Sequence, residues 1–559
     1  MKRVIVWIIL IAFLLTGLVA LLKAAPAGAA PSDPIPRTPA APRFTDSERQ
    51  SELAKRRAAV ASRMAENSTM VLFSGEPRIY SNSVDYYYRQ ENNHYYLTAL
   101  KQVGSTLVIS KKNGVVSETL FLPRRNALRE AWEGKMYSRE QATTLSGIKR
   151  IVEAEELSAF LDSLKGNRAF TSKDGQISIS AAPILYLLLP NGDNDANGKR
   201  EFRAEHSFSK EPAEYRVENA RPFFADLRQI KSPYELKILQ HAVDITTEAQ
   251  LRAMAMVGRA KWEYEVHAEV EYTFRRRNAD YWGYPSIVGC GENATTLHYV
   301  ESQGPIKPGE LLLMDVGAEY DHYTADVTRT FPVNGKFSKE QAEIYQIVYD
   351  AQEAVAKATK PGATMAELSQ IARNTISEGL FRLGLVTDRN SRQVGYWFIH
   401  GLGHWLGMNV HDVGNYNVPM KPGMVFTNEP GIYIRADALD NLPDTPENRA
   451  FKEKVRPAFE KYRNIGVRIE DVMLVTENGV EWMTAKLPRR MSEIEAWMAK
   501  ASKEFSWTSR NLDQPATIFL GAPIDVFAAS AFPSGLTVKR GFRNSRVHSH
   551  AKRDLSKDR

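Results

Sequence analysis

The sequence predicts an α/β (α+β) protein, with a larger domain of two related halves behind a smaller α/β domain. Three observations carry this. Helix-start signals at Ser232, Ser338 and Thr364 belong to two helix pairs, each followed by strand-like runs holding acidic residues, which points to an internal duplication. Further forward, short strand-like runs at 69–73, 106–110 and 119–121 build a separate mixed unit. A proline-rich stretch divides that unit from an apolar N-terminus.

The chain has 559 residues, 43% apolar and 25% charged, the balance of a water-soluble globular enzyme of more than one domain. Lys2 and Arg3 precede nineteen uncharged residues, 4–22, and then an Ala-rich region. That pattern is an export signal, and the apolar run is also just long enough to span a bilayer. Ala27-Gly28-Ala29 is an acceptable cleavage site, so residues 1–30 read equally as a signal peptide or an N-terminal membrane anchor. On either reading the folded domains are exported, periplasmic or otherwise extracytoplasmic, because the positive end stays inside. Residues 31–43 hold five prolines and read as an extended linker.

The smaller domain is expected over 44–200. Thr45-Asp46-Ser47-Glu48 has the form of a capping box. Residues 81–100 are dense in tyrosine, and alone would read as a partly buried aromatic surface. The larger domain is expected over 215–495. Ser232-Pro233-Tyr234-Glu235 combines an N-cap, a proline at the first helical position and a capping-box Glu, and Leu236, Leu239 and Val243 follow at helical spacing. Ser338-Lys339-Glu340-Gln341 repeats the device for a helix ending before Pro361-Gly362, and Thr364-Met365-Ala366-Glu367 starts another that ends near Gly384. The polar stretch 435–465 reads as a surface excursion leaving the strands on both sides intact.

The single cysteine, Cys290 in VGCGEN, excludes an internal disulfide and reads as a small loop residue. Residues 539–559 contain eight Lys/Arg and two Asp, a net of +6 out of the whole chain's +7. The region 500–559 therefore reads as a solvated basic tail, disordered in part. The remainder is close to neutral, and no nucleic-acid partner is expected.

The chemistry centres on 311–331, LLLMDVGAEYDHYTADVTRTF, two strand-like runs about a polar turn. Asp315 and Asp326 are symmetric about a turn centred between Tyr320 and Asp321, so a regular hairpin would set them opposite each other. Two ionised carboxylates so placed repel; one takes a proton or both share a cation. Asp is also a poor strand residue. Solvated Asp residues on an edge hairpin would explain the pair as well, until four more elements are added. His400-Gly401-Leu402-Gly403-His404 supplies imidazoles, Asn428-Glu429-Pro430-Gly431 a carboxylate before a turn, 466–471 another in an apolar run, and Leu297-His298-Tyr299 a further histidine. Carboxylates with one imidazole form a hard ligand set suited to Mn, Fe, Co or Zn.

The stretches MDVGAEYDHYTADVTRTFPVNGKFS, HGLGHWLGMNVHDVG, NEPGIYI and GVRIEDVMLVTENG, in this order, resemble the metal-dependent "pita-bread" peptidases, and among them the Xaa-Pro aminopeptidase (aminopeptidase P) branch. Tyr88-Arg89-Gln90 and Tyr95-Tyr96-Leu97 are similar to that branch's creatinase-like N-terminal domain, which in the family helps assemble the oligomer and wall the active site. The resemblance implies a pita-bread catalytic domain and Asp315, Asp326, His404, Glu429 and Glu470 as ligands of two divalent metal ions, Mn²⁺ first, with Co, Zn and Fe also compatible. Asp326 and Glu470 would bridge them. It implies a hydroxide between the ions attacking the peptide carbonyl, with Glu429 as general base. It gives His298, His400 and His411 catalytic and substrate-binding roles, and Tyr433 and Arg468 substrate contacts. Peptides with proline in second position would be the substrates, and homodimers or homotetramers the assembly; residues 4–22 would supply any membrane association. Prolidase, cleaving only Xaa-Pro dipeptides, is the nearest rival. A non-catalytic peptide-binding protein on the same fold is the rival from another class, and the five intact ligand types weigh against it.

Overall fold

The computed structural model describes residues 35–192 and 194–504. The expected signal or anchor and nearly all of the basic tail lie outside these residues. Among the described residues, no helix is long and apolar enough to cross a membrane.

The helix Asp46–Arg63 begins at the Thr45 capping box as expected. Behind it stands a six-stranded mixed sheet in the order Arg216–Asn219, Ile184–Leu187, Ser68–Phe73, Thr106–Lys112, Val115–Leu122, Ile151–Glu153. Its three predicted strands are three neighbours within that sheet. Val71, Val108, Phe121, Leu185 and Leu187 form its core with Phe160 and Leu164 of the helix Leu157–Lys165. The sheet reaches beyond residue 200, because Arg216–Asn219 is a parallel edge strand. A parallel neighbour needs a crossover, and the helices Ala196–Glu201 and Arg203–Phe208 lie along it.

The proline-rich stretch is a strap and not a free spacer. Ile35 is buried. The Thr38 backbone N–H and hydroxyl both donate to Glu248 at 2.7 Å, and the Phe44 ring stacks 3.8 Å from Tyr234. A proline-rich chain forms no hydrogen bonds within itself, so the polar groups of Thr38 find theirs on the neighbouring helix.

The larger domain shows the duplication. One half pairs the helices Pro233–Met256 and Glu263–Arg276 with the antiparallel strands Ile287–Cys290, Leu311–Val316 and Val327–Pro332. The other pairs Lys339–Ala358 and Met365–Arg382 with Val425–Asn428, Asp471–Thr476 and Gly479–Trp482. All three predicted capping boxes are present. In each half the central ladder breaks and resumes in a short second pair, Ala318–Tyr320 with Tyr323–Thr324, and Gly431–Tyr433 with Gly466–Arg468. The register does not change across either break. Val316 faces Val327 and Glu319 faces Thr324; Asn428 faces Asp471 and Gly431 faces Arg468. Counting inwards, Asp326 falls opposite Gly317, and Glu429 falls opposite Glu470.

A buried glutamine spans each break. Gln250 Nε2 donates to the Met314 and Val327 carbonyls at 3.2 and 2.8 Å. Gln352 Nε2 donates to the Asn428 and Ile469 carbonyls at 3.1 Å each. Carbonyls that the ladder leaves free are thus satisfied from the helix behind.

The stretch expected as a surface excursion is instead packed. Its helix Pro446–Tyr462 buries Phe451, Val455, Phe459 and Tyr462, with Phe459 beside Trp397 at 6.1 Å. That apolar face at three- and four-residue spacing lies within a charged sequence, which masks it. The flanking strands are intact, as expected. The closing helix, Met491–Glu504, packs on Pro233–Met256 through Trp497, whose indole N–H reaches the Leu251 carbonyl at 3.4 Å.

Candidate active site

The hairpin carries Asp315 and Asp326, but not directly opposite one another. Asp315 faces Thr328. The turn is centred on Asp321-His322, with φ of 50° and 68°, the left-handed pair of a two-residue hairpin turn whose twist matches the strands. Moving the centre by one residue moves the partner by two, so both Asp side chains keep the same face as diagonal neighbours. The Tyr284 hydroxyl joins them, 2.5 Å from Asp315 Oδ1 and 2.6 Å from Asp326 Oδ1. A single hydroxyl hydrogen serves one carboxylate; the other contact takes a proton from the carboxyl side. Burial, followed by repulsion from Asp315 and Glu429, pushes the Asp326 carboxyl well above its ordinary range.

The other break supplies Glu429 and Glu470. With no ladder there, the Glu429 amide donates to the Leu402 carbonyl at 3.0 Å, and the Glu470 amide to the Thr328 carbonyl at 3.1 Å. This second bond ties the two halves together beside Asp315. Glu470 Oε2 accepts from the Thr328 hydroxyl at 2.6 Å, while its Oε1 is buried without a hydrogen-bond partner. Burial, then Asp326 and Glu429, hold the Glu470 carboxyl well up. Glu429 is also raised, chiefly by burial, and accepts from Thr427 at 3.0 Å.

His404 closes the cluster. Its Nδ1 lies 3.2 Å from the Trp405 carbonyl, so Nδ1 carries the hydrogen and Nε2 the lone pair. Nε2 lies 3.3 Å from Asp326 Oδ2 and 3.3 Å from Glu429 Oε1. A lone pair aimed at two acidic oxygens is unfavourable until a cation enters. One ligand atom each from Asp326, His404 and Glu470 fall within 4.8 Å of one another. The unpartnered Glu470 oxygen, the crowded carboxyls and the His404 tautomer all fit a divalent-metal centre.

Behind the carboxylates stand residues that no motif singled out. Arg329 is fully buried. It pairs with Asp471 at 2.6 Å and donates to the carbonyls of Glu470, Thr328 and Pro488 at 2.7, 2.9 and 2.8 Å. Asp471 also accepts from Gln352 at 2.8 Å. Gln352→Leu should therefore orphan two carbonyls and a carboxylate oxygen, destabilising the protein by about 1–3 kcal/mol. By loosening Glu429 and Glu470 it should also weaken Mn²⁺ binding about 10- to 100-fold. Thermal melting with chelator present and titration calorimetry with Mn²⁺ read the two effects separately.

All the predicted site residues but Tyr433 line one cleft of about 500 Å³; Tyr433, expected to contact substrate, is buried behind it with its hydroxyl on His400 and Arg468. His298, His400 and His411 line it with the five carboxylate and imidazole groups, Arg468, and apolar Pro285, Ile287, Leu297, Val300 and Val410. Arg468 reaches Asp315 at 2.6 Å, the Thr328 hydroxyl at 3.1 Å and the Tyr433 hydroxyl at 2.8 Å. Tyr433 in turn meets His400 Nε2 at 2.8 Å. Burial and the Arg468 charge lower the His400 pKa to about 3, and burial with His404 lowers that of His411 to about 4. His411 stands edge-on to His404, ring centroids 4.3 Å apart. Sequence reasoning missed Tyr284, Thr328 and the two glutamines. Only their places in the fold mark them, and WGYPS and the helix interiors give no pattern of their own.

The comparisons agree with this geometry. A model of metallopeptidase family M24 matches residues 237–477, and one of the aminopeptidase P N-terminal domain matches 53–171. The Xaa-Pro aminopeptidase of Haemophilus influenzae is 33% identical over 456 residues, 80% of this chain and 97% of that protein. The chain belongs to the Xaa-Pro aminopeptidases of metallopeptidase family M24. Escherichia coli Xaa-Pro aminopeptidase is also 33% identical, over 81% of this chain and 98% of its own. Among solved structures, Escherichia coli aminopeptidase P with the inhibitor Pro-Leu superposes with a TM-score of 0.69 at 32% identity, covering 81% of this chain and 99% of that one. Proline aminopeptidase P II from Yersinia pestis gives 0.68 at 32%, over 80% and 99%. This M24 peptidase therefore has the two-part, pita-bread architecture of its relatives.

Proposed function

We propose that this M24 peptidase removes the N-terminal residue from peptides whose second residue is proline, using two divalent cations. The observation that carries the reading is the meeting of Asp326, Glu429 and Glu470, at the breaks of two duplicated sheets, with Asp315 and His404 on one cleft with three further histidines. Asp326 and Glu470 would be shared between the ions, Asp315 would serve one, and His404 with Glu429 the other. When bound, such ions polarise a carbonyl and bring a water's pKa near neutrality. The hard oxygen-rich set supports manganese as the native metal. A zinc-substituted Escherichia coli aminopeptidase P is among the similar structures.

Glu429, held by Thr427, accepts the proton of the attacking water and passes it to the leaving nitrogen. Among the described residues, none hydrogen-bonds the rings of His298 or His411. Their nitrogens serve the substrate, with the neutral His411 donating to the oxygen that gains charge. His400 has both ring nitrogens engaged, Nδ1 on the Gly401 carbonyl at 2.7 Å and Nε2 on Tyr433. Its part is to fix Tyr433 and, through it, Arg468. The apolar side of the cleft shelters substrate side chains from water.

Residues 1–30 support export, with 4–22 as a membrane attachment where they are retained, and the family supports a homodimer or homotetramer. The deciding experiment incubates the purified chain lacking residues 1–30 with Mn²⁺ and either Xaa-Pro-Yaa or Xaa-Pro. Release of Xaa from the tripeptide, lost in chelator, is expected. Turnover confined to the dipeptide would overturn the aminopeptidase reading in favour of prolidase.

A further inference from the structure

Within the tyrosine-rich stretch of the N-terminal sheet domain, the side chains of Arg89, Asn92, Asn93 and Tyr95 leave their own domain and grip both halves of the catalytic one. Arg89 Nε lies 2.8 and 3.0 Å from the two carboxylate oxygens of Glu319, near the tip of the Asp315/Asp326 hairpin. Its Nη2 donates to the Met408 carbonyl at 2.7 Å, and its Nη1 to Asn92 Oδ1 at 2.8 Å. Asn92 Nδ2 donates to Asn409 Oδ1 at 2.7 Å. Tyr95 stacks on His322 with ring centroids 3.7 Å apart and donates its hydroxyl to Asp321. Asn93 Oδ1 accepts from Arg228 at 2.8 Å, and the other arm of Arg228 pairs with Asp412.

These partners fall into two groups. Glu319, Asp321 and His322 form the tip of the hairpin in the first half. Met408, Asn409 and Asp412 bracket His411 in the second. Arg89 touches both groups with one planar guanidinium, through charge-assisted bonds of fixed geometry. Between hairpin and loop there is also a direct bond, Thr324 N–H to the Gly407 carbonyl at 2.9 Å. Arg89 and Asn92 reinforce that seam from outside.

We propose that residues 89–95 are a positioning element for catalysis, holding the Asp315/Asp326 hairpin tip against the loop that ends in His411 and so fixing the spacing of the two halves across the cleft. This rests on the reading of His411 as a substrate contact. It gives the N-terminal domain a task inside its own chain. None of these residues lines the cleft; held against the hairpin, they act on it through His411. Small misplacements at a reacting centre lower rates steeply.

The test uses the full chain with Mn²⁺ and an Xaa-Pro-Yaa tripeptide. Arg89→Met combined with Asn92→Ala should lower kcat/KM about tenfold or more, mostly through kcat, with bound Mn²⁺ unchanged. In a His411→Ala background the same pair should cause little further loss, because both changes act on one contact. Hydrogen exchange at 407–412, measured without substrate, should quicken. Asn92→Ala alone serves should the double variant fail to fold. Unchanged kcat/KM, or an independent loss in the His411→Ala background, would overturn the proposal. So would unchanged exchange at 407–412. That readout needs no turnover, so an inactive parent chain would sink the peptidase reading and leave this one decided.

Discussion

Asp326→Ala and Glu470→Ala should each abolish metal-dependent turnover, by about a thousandfold or more, the scale seen when a group that organises developing charge is removed. Each residue sits at a break in its own sheet and faces the other half, so neither loss can be covered by a neighbour. Near-parental tripeptide hydrolysis with two Mn²⁺ still bound would refute the shared-ligand assignment. The isosteric changes Asp326→Asn and Glu470→Gln add an effect of opposite sign. Burial and mutual repulsion raise both carboxyls in the folded state. A raised carboxyl contributes stability that is fully present below its unfolded pKa and is lost as pH rises through the folded value. Near neutral pH in chelator the parent chain bears that crowding, and the amide variants relieve it. Their melting temperature in chelator should exceed the parent's. The parent alone should gain on adding Mn²⁺, by about 2.7 kcal/mol at a hundredfold excess over Kd.

Arg329→Met should destabilise the protein by about 3–5 kcal/mol, because it leaves the buried Asp471 carboxylate without its cation. The pair is 0% and 1% exposed, so water cannot take over. Four carbonyls lose a donor at the same time, among them that of Glu470. Denaturant unfolding reads the change. A second substitution, Asp471→Asn, should recover part of it by removing the stranded charge, whereas a loss that Asp471→Asn deepens would mean that packing and not charge dominates.

Much of this was legible from the residues. The capping boxes at Thr45, Ser232, Ser338 and Thr364 are local devices, with both partners within four residues, and the structure has all four. The hairpin is legible too, but its true centre lies one residue beyond the point midway between Asp315 and Asp326. The symmetry of the two Asp residues does not fix the register, whereas the left-handed pair at Asp321-His322 does. The five proposed ligands could be named from motif order and resemblance, and the structure brings their side chains to one cleft. Their supports could not. Tyr284, Thr328, Gln250, Gln352 and Arg329 act across 31 to 142 residues of chain, and no local pattern records a partner so distant. Composition makes 31–43 a spacer, whereas its described part, 35–43, is strapped down, because prolines report backbone stiffness and say nothing about what the backbone lies against.

The spanning glutamines bear on how such a protein can change over time. At each break an amide reaching over from a helix helps to keep the two strands aligned, and the Glu429 and Glu470 N–H groups bond outside their own ladder. The side chains there are released from any duty to the sheet. A lineage can exchange Asp326, Glu429 or Glu470 for residues of other chemistry without slipping a strand, so long as Gln250 and Gln352 stay, whereas Gly317 is held to glycine by the Ala325 carbonyl, 1.9 Å from where a Cβ would stand. The scaffold is thus permissive at the very places where its chemistry resides, and two copies of the same opening have come to carry different charges.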